Sequence, residues 1–492
     1  MRHAFFAVGL FVCPALVAQQ AVPASLSLSD AITIAREHNP AYRQTLNNRT
    51  AAAWNERGAF TSLVLPSVTA SGGVSYTGPG QQRFLTNTFS QSVSTVSSNY
   101  SLSLNYELSG ATLSAPGLRR AQANAVDADI VGAGQALVAN VTTQYLNVLQ
   151  AIDNARVAER QLTRNDDALK LAQARYAVGR ASLIDVRQAQ VARGQTEVAL
   201  LRARTATSIE KLRLFEQLGV TAPTTIEAIV LSDTFAVQQP IWKLDDLLTM
   251  AAEQNPSLKA LRARETAAAW GTRSAVASYG PSLSASAGWS GFTQQFTNVE
   301  PLRVAGETQA PMLQQACLDN NQIRVNAGLA PKPADCSAYV WGSANEQQLR
   351  AQNSVFPFSF TSQPFQARLT ITLPLFANFQ RPAQVAEAKA TQQDADESVR
   401  ARGLGVQTEV SQAYLNLMAA FQTIAIQDTN RTAAQEQLQL ATDRYTIGSG
   451  SFLELQDAQV ASLRAASDYV GAVYDYHRAL AALEAAVGRS LR

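Results

Sequence analysis

A long block of this chain occurs twice. Val141–Gly219, moved 269 positions down the sequence, lies on Val410–Gly488 without a gap. Tyr145-Leu146-Asn147 falls on Tyr414-Leu415-Asn416, and Arg175-Tyr176-x-x-Gly179-x-x-Ser182 falls on Arg444-Tyr445-x-x-Gly448-x-x-Ser451. Whatever one copy folds into, the other must fold into as well. In the first copy Val138, Val141, Tyr145, Val148, Ile152 and Ala155 step by three and four, and Val410, Tyr414, Leu417, Phe421 and Ile424 do so in the second. That spacing makes the narrow seam of a coiled coil rather than the broad apolar face of a globular helix. Gly179 and Gly448 can take the left-handed conformation that stops a helix, and Ser182 and Ser451 can cap the next one. The pattern predicts two antiparallel helical hairpins, over residues 116–219 and 382–488. Tyr145 and Tyr414 are expected in the packed seam; Tyr176 and Tyr445, near the turns, are placed to hydrogen-bond across helices.

A second repeat has an offset of 216: Leu28-x-Asp30-Ala31-Ile32 through Asn39-Pro40 returns as Leu244-x-Asp246-Leu247-Leu248 through Asn255-Pro256. Ser29 is a candidate cap for the first of these helices. Each Asn-Pro ends one helix and opens another, because proline fits a first helical turn but not an interior. Ala51-Ala52-Ala53-Trp54 recurs as Ala267-Ala268-Ala269-Trp270, and both tryptophans are read as packing anchors. The chain is thus expected to be an internal tandem repeat, residues 25–240 and 241–492, joined by a polar connector near 221–239.

After each opening helix the period changes to two. Val68, Ala70, Val74 and Tyr76 alternate with small polar residues, as do Tyr100, Leu102, Leu104, Tyr106 and Leu108. Leu283, Ala285, Ala287 and Trp289, then Phe365, Ala367, Leu369 and Ile371, repeat the pattern. Strands are expected at 66–77, 99–109, 281–293 and 365–376. Such alternation fits transmembrane β-strands, the alternative being a soluble sheet with one wet face. Four strands cannot close a barrel, and open edges in lipid leave backbone groups unpaired. The chain must then share its barrel with further copies. Residues 77–99 and 297–363, rich in Ser, Gln, Asn and Gly, read as external loops. Helices over 116–178 and 382–447 would be rods on the order of 90 Å, too long for a plug and suited to bridging a compartment.

Composition narrows the class. Charged residues make up 16% and the formal charge is +2, so no basic surface points to nucleic acid. Met1-Arg2-His3 followed by the apolar run Ala4–Ala18 reads as a signal peptide over residues 1–24, with cleavage after Ala18 or Ala24. Cys13 falls inside it, in a context that fits lipoprotein processing poorly. The remaining cysteines, Cys317 and Cys336, favour a disulfide in an exported chain, two free thiols being the alternative. The histidines are His3, His38 and His477 only. No paired-His metal spacing, Ser-His-Asp grouping or phosphate loop is present, so neither a metal, a cofactor nor an active site is expected.

The strand–rod–turn–rod order resembles the TolC family of outer-membrane efflux proteins. The residues that carry the resemblance are Leu65-Pro66-x-Val68 entering the first strand and Leu373-Pro374-Leu375-Phe376 leaving the last. The two tips add Arg175-Tyr176-Ala177-Val178-Gly179 through Asp185-Val186, and Arg444-Tyr445-Thr446-Ile447-Gly448 through Asp457-Ala458. The resemblance implies an α+β membrane protein, a homotrimer with a shared twelve-stranded barrel and a coiled-coil periplasmic tunnel. It also implies docking of the tip turns (Gly179, Ser182, Gly448, Ser451) to a periplasmic adaptor and, through it, to an inner-membrane transporter. Glu454 and Asp457 occupy the family's acidic constriction and, three apart, share a helix face. Asp185 and Tyr445 match gate positions, with Tyr176 beside them. Gly450 stands where several relatives carry a gate-locking arginine, and Arg180 is a candidate substitute cation. Outlets for type I secretion or metal efflux share this fold, although sparse His and Met disfavour a metal-binding lumen. A trimeric adhesin stalk is the rival from another class; it needs one pass of heptads per chain, not two hairpins.

Overall fold

The computed structural model describes residues 25–84, 87–91, 94–333 and 335–491. The expected signal peptide, with Cys13, lies outside the described residues. In chain order the elements are β1 (Ser25–Leu26), α1 (Leu28–His38), α2 (Pro40–Val64), β2 (Ser67–Thr77), β3 (Gly80–Phe84), β4 (Asn87–Gln91) and β5 (Thr95–Leu108). Then come α3 (Gly110–Ala177), α4 (Leu183–Leu218), β6 (Val230–Leu231), α5 (Leu244–Gln254), α6 (Pro256–Ala277) and β7 (Ser282–Phe296). The last are α7 (Glu300–Asn326), α8 (Ser343–Gln352), β8 (Thr361–Ser362), β9 (Gln366–Thr372), α9 (Gln380–Ile447) and α10 (Phe452–Val487). The chain forms two compact units. Of the described residues, one gathers those up to Asn55 with Leu118–Ala269 and Lys389 onward; the other holds those within Glu56–Gly117 and Trp270–Ala388.

The first unit is helical and has two similar apolar centres. In one, Tyr145 is fully buried among Leu26, Val141, Val148, Leu214, Phe215 and Leu218, and its hydroxyl donates to the Leu26 carbonyl at 2.9 Å. In the other, Val410, Leu417, Tyr476, Leu480 and Leu483 surround Leu247 and Ala251, with Tyr414 partly buried at the margin. Asn39 and Asn255 knit the Asn-Pro joints. The Asn39 amide donates to the Gln217 carbonyl at 2.8 Å and the Asn255 amide to that of Ala486 at 2.9 Å. Lys211, buried, spends its ammonium on the carbonyls of Ile226, Glu227 and Ile229 at the turn that follows α4. Burial lowers its pKa, with Glu227 opposing that shift. α1 is capped by Ser27, not Ser29, because Asp30 then stands at the third helical position and closes a reciprocal capping box.

The second unit is built on an antiparallel sheet in the order β2-β5-β7, with β9 and the short β8 on the far side of β7. Its register aligns the alternating residues of all four long strands. Val68 pairs with Leu104, Leu104 with Ala287 and Ala287 with Ala367. The rows Tyr106–Ala285–Leu369 and Leu108–Leu283–Ile371 lie on the same face. The opposite face carries Ser67–Asn105–Ser286–Arg368 and Glu107–Ser284–Thr370. One face is therefore apolar and the other polar across the sheet, and every residue of β2 and β9 is exposed.

Three expectations need correction. The long helices α3 and α9 begin at Gly110 and Gln380, ahead of Pro116 and Pro382. Ser109 and Thr112 cap each other's backbone N–H groups and so start α3 early, while Pro382 falls in the tolerant first turn of α9. The region 297–363 is not a structureless loop, since it contains α7 and α8. α7 has little apolar period; Arg303 pairs with Glu300 and Glu307 along it, Trp341 packs on Gly306, and Cys317 is disulfide-bonded to Cys336 with Cα atoms 5.9 Å apart. Finally, Trp270 does pack, its ring lying where a Cβ on Gly117 would be, but Trp54 is exposed.

Candidate functional site

The expected gate residues lie where α3 turns into α4 and α9 turns into α10, all within the helical unit. At the first turn Gly179 has φ +71°, its N–H donates to the Tyr176 carbonyl at 3.0 Å, and Arg180 N–H donates to that of Arg175 at 2.8 Å. Ser182 then caps α4: its hydroxyl accepts from Asp185 N–H at 3.2 Å, and the Asp185 carboxylate accepts from Ser182 N–H at 2.9 Å. At the second turn Gly448 has φ +90°, and three successive N–H groups, of Gly448, Ser449 and Gly450, converge on the Arg444 carbonyl. Ser451 caps α10 by accepting from Glu454 N–H at 3.2 Å. Each turn is thus fixed by its own glycine and hydroxyl before any tertiary contact acts.

Packing then joins the turns. Tyr445, 2% exposed, sits in a cluster with Ala168, Ala172, Ala189, Phe452 and Leu455. The Arg175 guanidinium stacks 4.3 Å from the centre of the Tyr445 ring, donates to the Tyr445 carbonyl, and donates again to the Arg180 carbonyl at 3.0 Å. One side chain thereby clamps both turns of the chain. Burial pushes the Tyr445 phenol up; the Arg175 charge pulls it down and the Asp185 charge adds to the rise. Its hydroxyl has no hydrogen-bond partner among the described residues. The cross-helix hydrogen bond expected of Tyr445 is therefore replaced by a stacked cation and a backbone carbonyl, and Tyr176 is exposed.

Glu454 is exposed and lies 3.7 Å from Arg444, a pair worth about 0–1 kcal/mol at such exposure. Asp457 is exposed on the same helix. The Arg180 side chain is exposed as well, and only its carbonyl joins the clamp. At Gly450 a Cβ would lie 3.1 Å from the Arg444 Cβ and 3.2 Å from the Glu454 carboxylate, so this turn has little room for a longer residue. Sequence reasoning missed Arg175 and Arg444. The signal was present: each arginine immediately precedes the tyrosine in both copies of the tip motif.

Among the described residues no cluster of His, Cys, Asp and Glu could hold a metal ion, and no helix is long and apolar enough to cross a membrane. The latter says nothing about the sheet. The chain thus combines long helices joined by two clamped turns with an antiparallel sheet that has one apolar and one polar face. A family model described as outer membrane efflux protein matches residues 31–220 and 307–489. The chain belongs to the outer membrane efflux protein family, and so acts in transport at the outer membrane rather than as an enzyme.

Solved structures show the same helix-rich fold. The outer-membrane channel OprN superposes with a TM-score of 0.68 at 18% identity, covering 94% of this chain and 89% of that one. The outer membrane protein VceC from Vibrio cholerae gives 0.65 at 17%, covering 94% and 97%. The open state of the MtrE channel of Neisseria gonorrhoeae gives 0.65 at 19%, covering 94% and 89%. No curated protein sequence matches the chain.

Proposed function

We propose that three copies of this chain form a passive exit duct of a tripartite efflux system. Each copy contributes β2, β5, β7 and β9 to a shared twelve-stranded barrel and two coiled-coil hairpins to a periplasmic tunnel. The two halves, 25–240 and 241–492, act as tandem repeats within each copy. The observation that carries this reading is a pair of open edges on a sheet with one apolar face: among the described residues β2 pairs only with β5, and β9 only with β7. In lipid each unpaired edge group costs several kcal/mol, and pairing β2 of one copy with β9 of the next removes both edges. Mass measurement of detergent-extracted protein is expected to return three copies. A stable monomer with its strand signal intact would overturn the reading.

In this reading the tip turns at Gly179, Ser182, Gly448 and Ser451 meet the periplasmic adaptor, which links the duct to an inner-membrane transporter. The entrance is gated by Asp185, Tyr445, Tyr176 and Arg180, with Glu454 and Asp457 repeated around the axis as rings of carboxylates. Two such charges about 7 Å apart repel by roughly 2–3 kcal/mol at an effective dielectric near 20, so the rings attract cations. The double substitution Glu454→Gln with Asp457→Asn is expected to lower cation selectivity and divalent block in planar-bilayer recordings. Unaltered selectivity would remove these residues from the constriction.

A further inference from the structure

The apolar face of the sheet changes character along its height. From the row Leu108–Leu283–Ile371 up to Leu102–Trp289 it presents side chains suited to lipid. Above that, at the end remote from the starts of α3 and α9, β5 and β7 bring the polar Ser98, Thr293 and Gln295 onto this face beside Val96, while β2 keeps it apolar with Val74 and Tyr76. These polar residues are covered by residues 353–360 of the connection that returns to β9. Asn353 exchanges two 2.8 Å hydrogen bonds with the backbone of Phe296, one from its amide and one to its side-chain oxygen. Phe356 N–H donates to the Gln295 side-chain oxygen at 3.0 Å, and the Ser98 hydroxyl donates to the Pro357 carbonyl at 2.5 Å. The Phe360 ring meets Tyr100 edge-on at 4.9 Å. Ser98 and Thr293 are buried as a result.

The covering segment, Val355-Phe356-Pro357-Phe358-Ser359-Phe360, has no charged residue, and Phe358 is 82% exposed. Directly below it Trp289 packs on Phe365, with ring centres 4.9 Å apart. An uncharged, phenylalanine-rich segment beside an apolar wall and an aromatic pair fits the boundary between acyl chains and headgroups, where aromatic rings collect. We propose that residues 353–360 form a collar on the lipid side of the wall, at the outer boundary of the membrane, with Phe358 as its lipid-facing anchor. The proposal rests on the barrel reading above. It also has a consequence for the duct: this part of the connection is tied to the outside of the wall and does not lie across the opening.

Fluorophores attached at Phe358→Cys, Leu104→Cys and Gln294→Cys, with the native disulfide intact, test the collar in phospholipid vesicles. The label at 358 is expected to lose most of its emission to a lipid nitroxide placed near the headgroup and to resist an aqueous nickel chelate. The label at 294, on the polar face, should behave in the opposite way. If 104 is quenched from lipid while 358 is quenched only from water, the collar is overturned and the wall stands. If 104 too is quenched only from water, the barrel reading fails and the collar fails with it.

Discussion

Replacing Arg175 with alanine is expected to raise the conductance of the resting channel. The side chain stacks on Tyr445 and donates to the carbonyls of Tyr445 and Arg180, so it links the two turns of one chain. A cation–π contact contributes about 0.5–2 kcal/mol and a hydrogen bond from a charged donor about 1.5–3. With Arg175 only half-buried, a net value near 2 kcal/mol is a fair figure. Losing it would shift the balance between joined and separated tips by about 30-fold. Arg175→Lys keeps the charge but loses the planar fork and the stacking, and should fall between the two. Planar-bilayer recordings at fixed voltage would show this. Conductance unchanged in a normally folded Arg175→Ala protein would mean that the clamp does not hold the entrance.

Gly219→Ala should be the most destabilising single methyl in the helical unit. Gly219 ends α4 with φ +75°, and an added Cβ would lie 2.6 Å from the His38 carbonyl and 2.7 Å from the Asn39 Cα. Left-handed backbone costs an alanine about 1–2 kcal/mol, and overlap with backbone adds about 1–3. Neither neighbour can yield easily, because Asn39 is bonded to the Gln217 carbonyl and accepts from Tyr42 N–H at 3.0 Å. Gly194→Ala is the contrasting control. It lies within α4 with nothing near its Cβ position, so better helix propensity should stabilise it by about 1 kcal/mol. Denaturant midpoints that moved alike in the two variants would refute the close-approach argument.

Much of the helical architecture was legible because helix ends are local chemistry. The tip glycines, the serine caps and the Asn-Pro joints each act within a few residues, so reading them needs no knowledge of the fold. The four long strands were legible for the same reason, since alternation is a property of successive residues, whereas β3 and β4 lie in the stretch 77–99 that reads as a loop. α7 was not: its support comes from ion pairs along one face, from Trp341 and from a disulfide, none of which leaves an apolar period. The cap of α1 was misplaced by two residues because two serines compete there, and only the position of Asp30 decides between them.

The sequence by itself determined the two helical hairpins, their turns and which residues of the long strands share a face, since all three follow from interactions between near neighbours. Only the tertiary structure decided that Val68, Leu104, Ala287 and Ala367 stand in one row, because register depends on how separate strands meet. It alone brought Arg175 to Tyr445, 270 residues away, and laid Pro357 against Ser98. Contacts between distant segments depend on how whole elements pack, and no pattern among neighbouring residues encodes that.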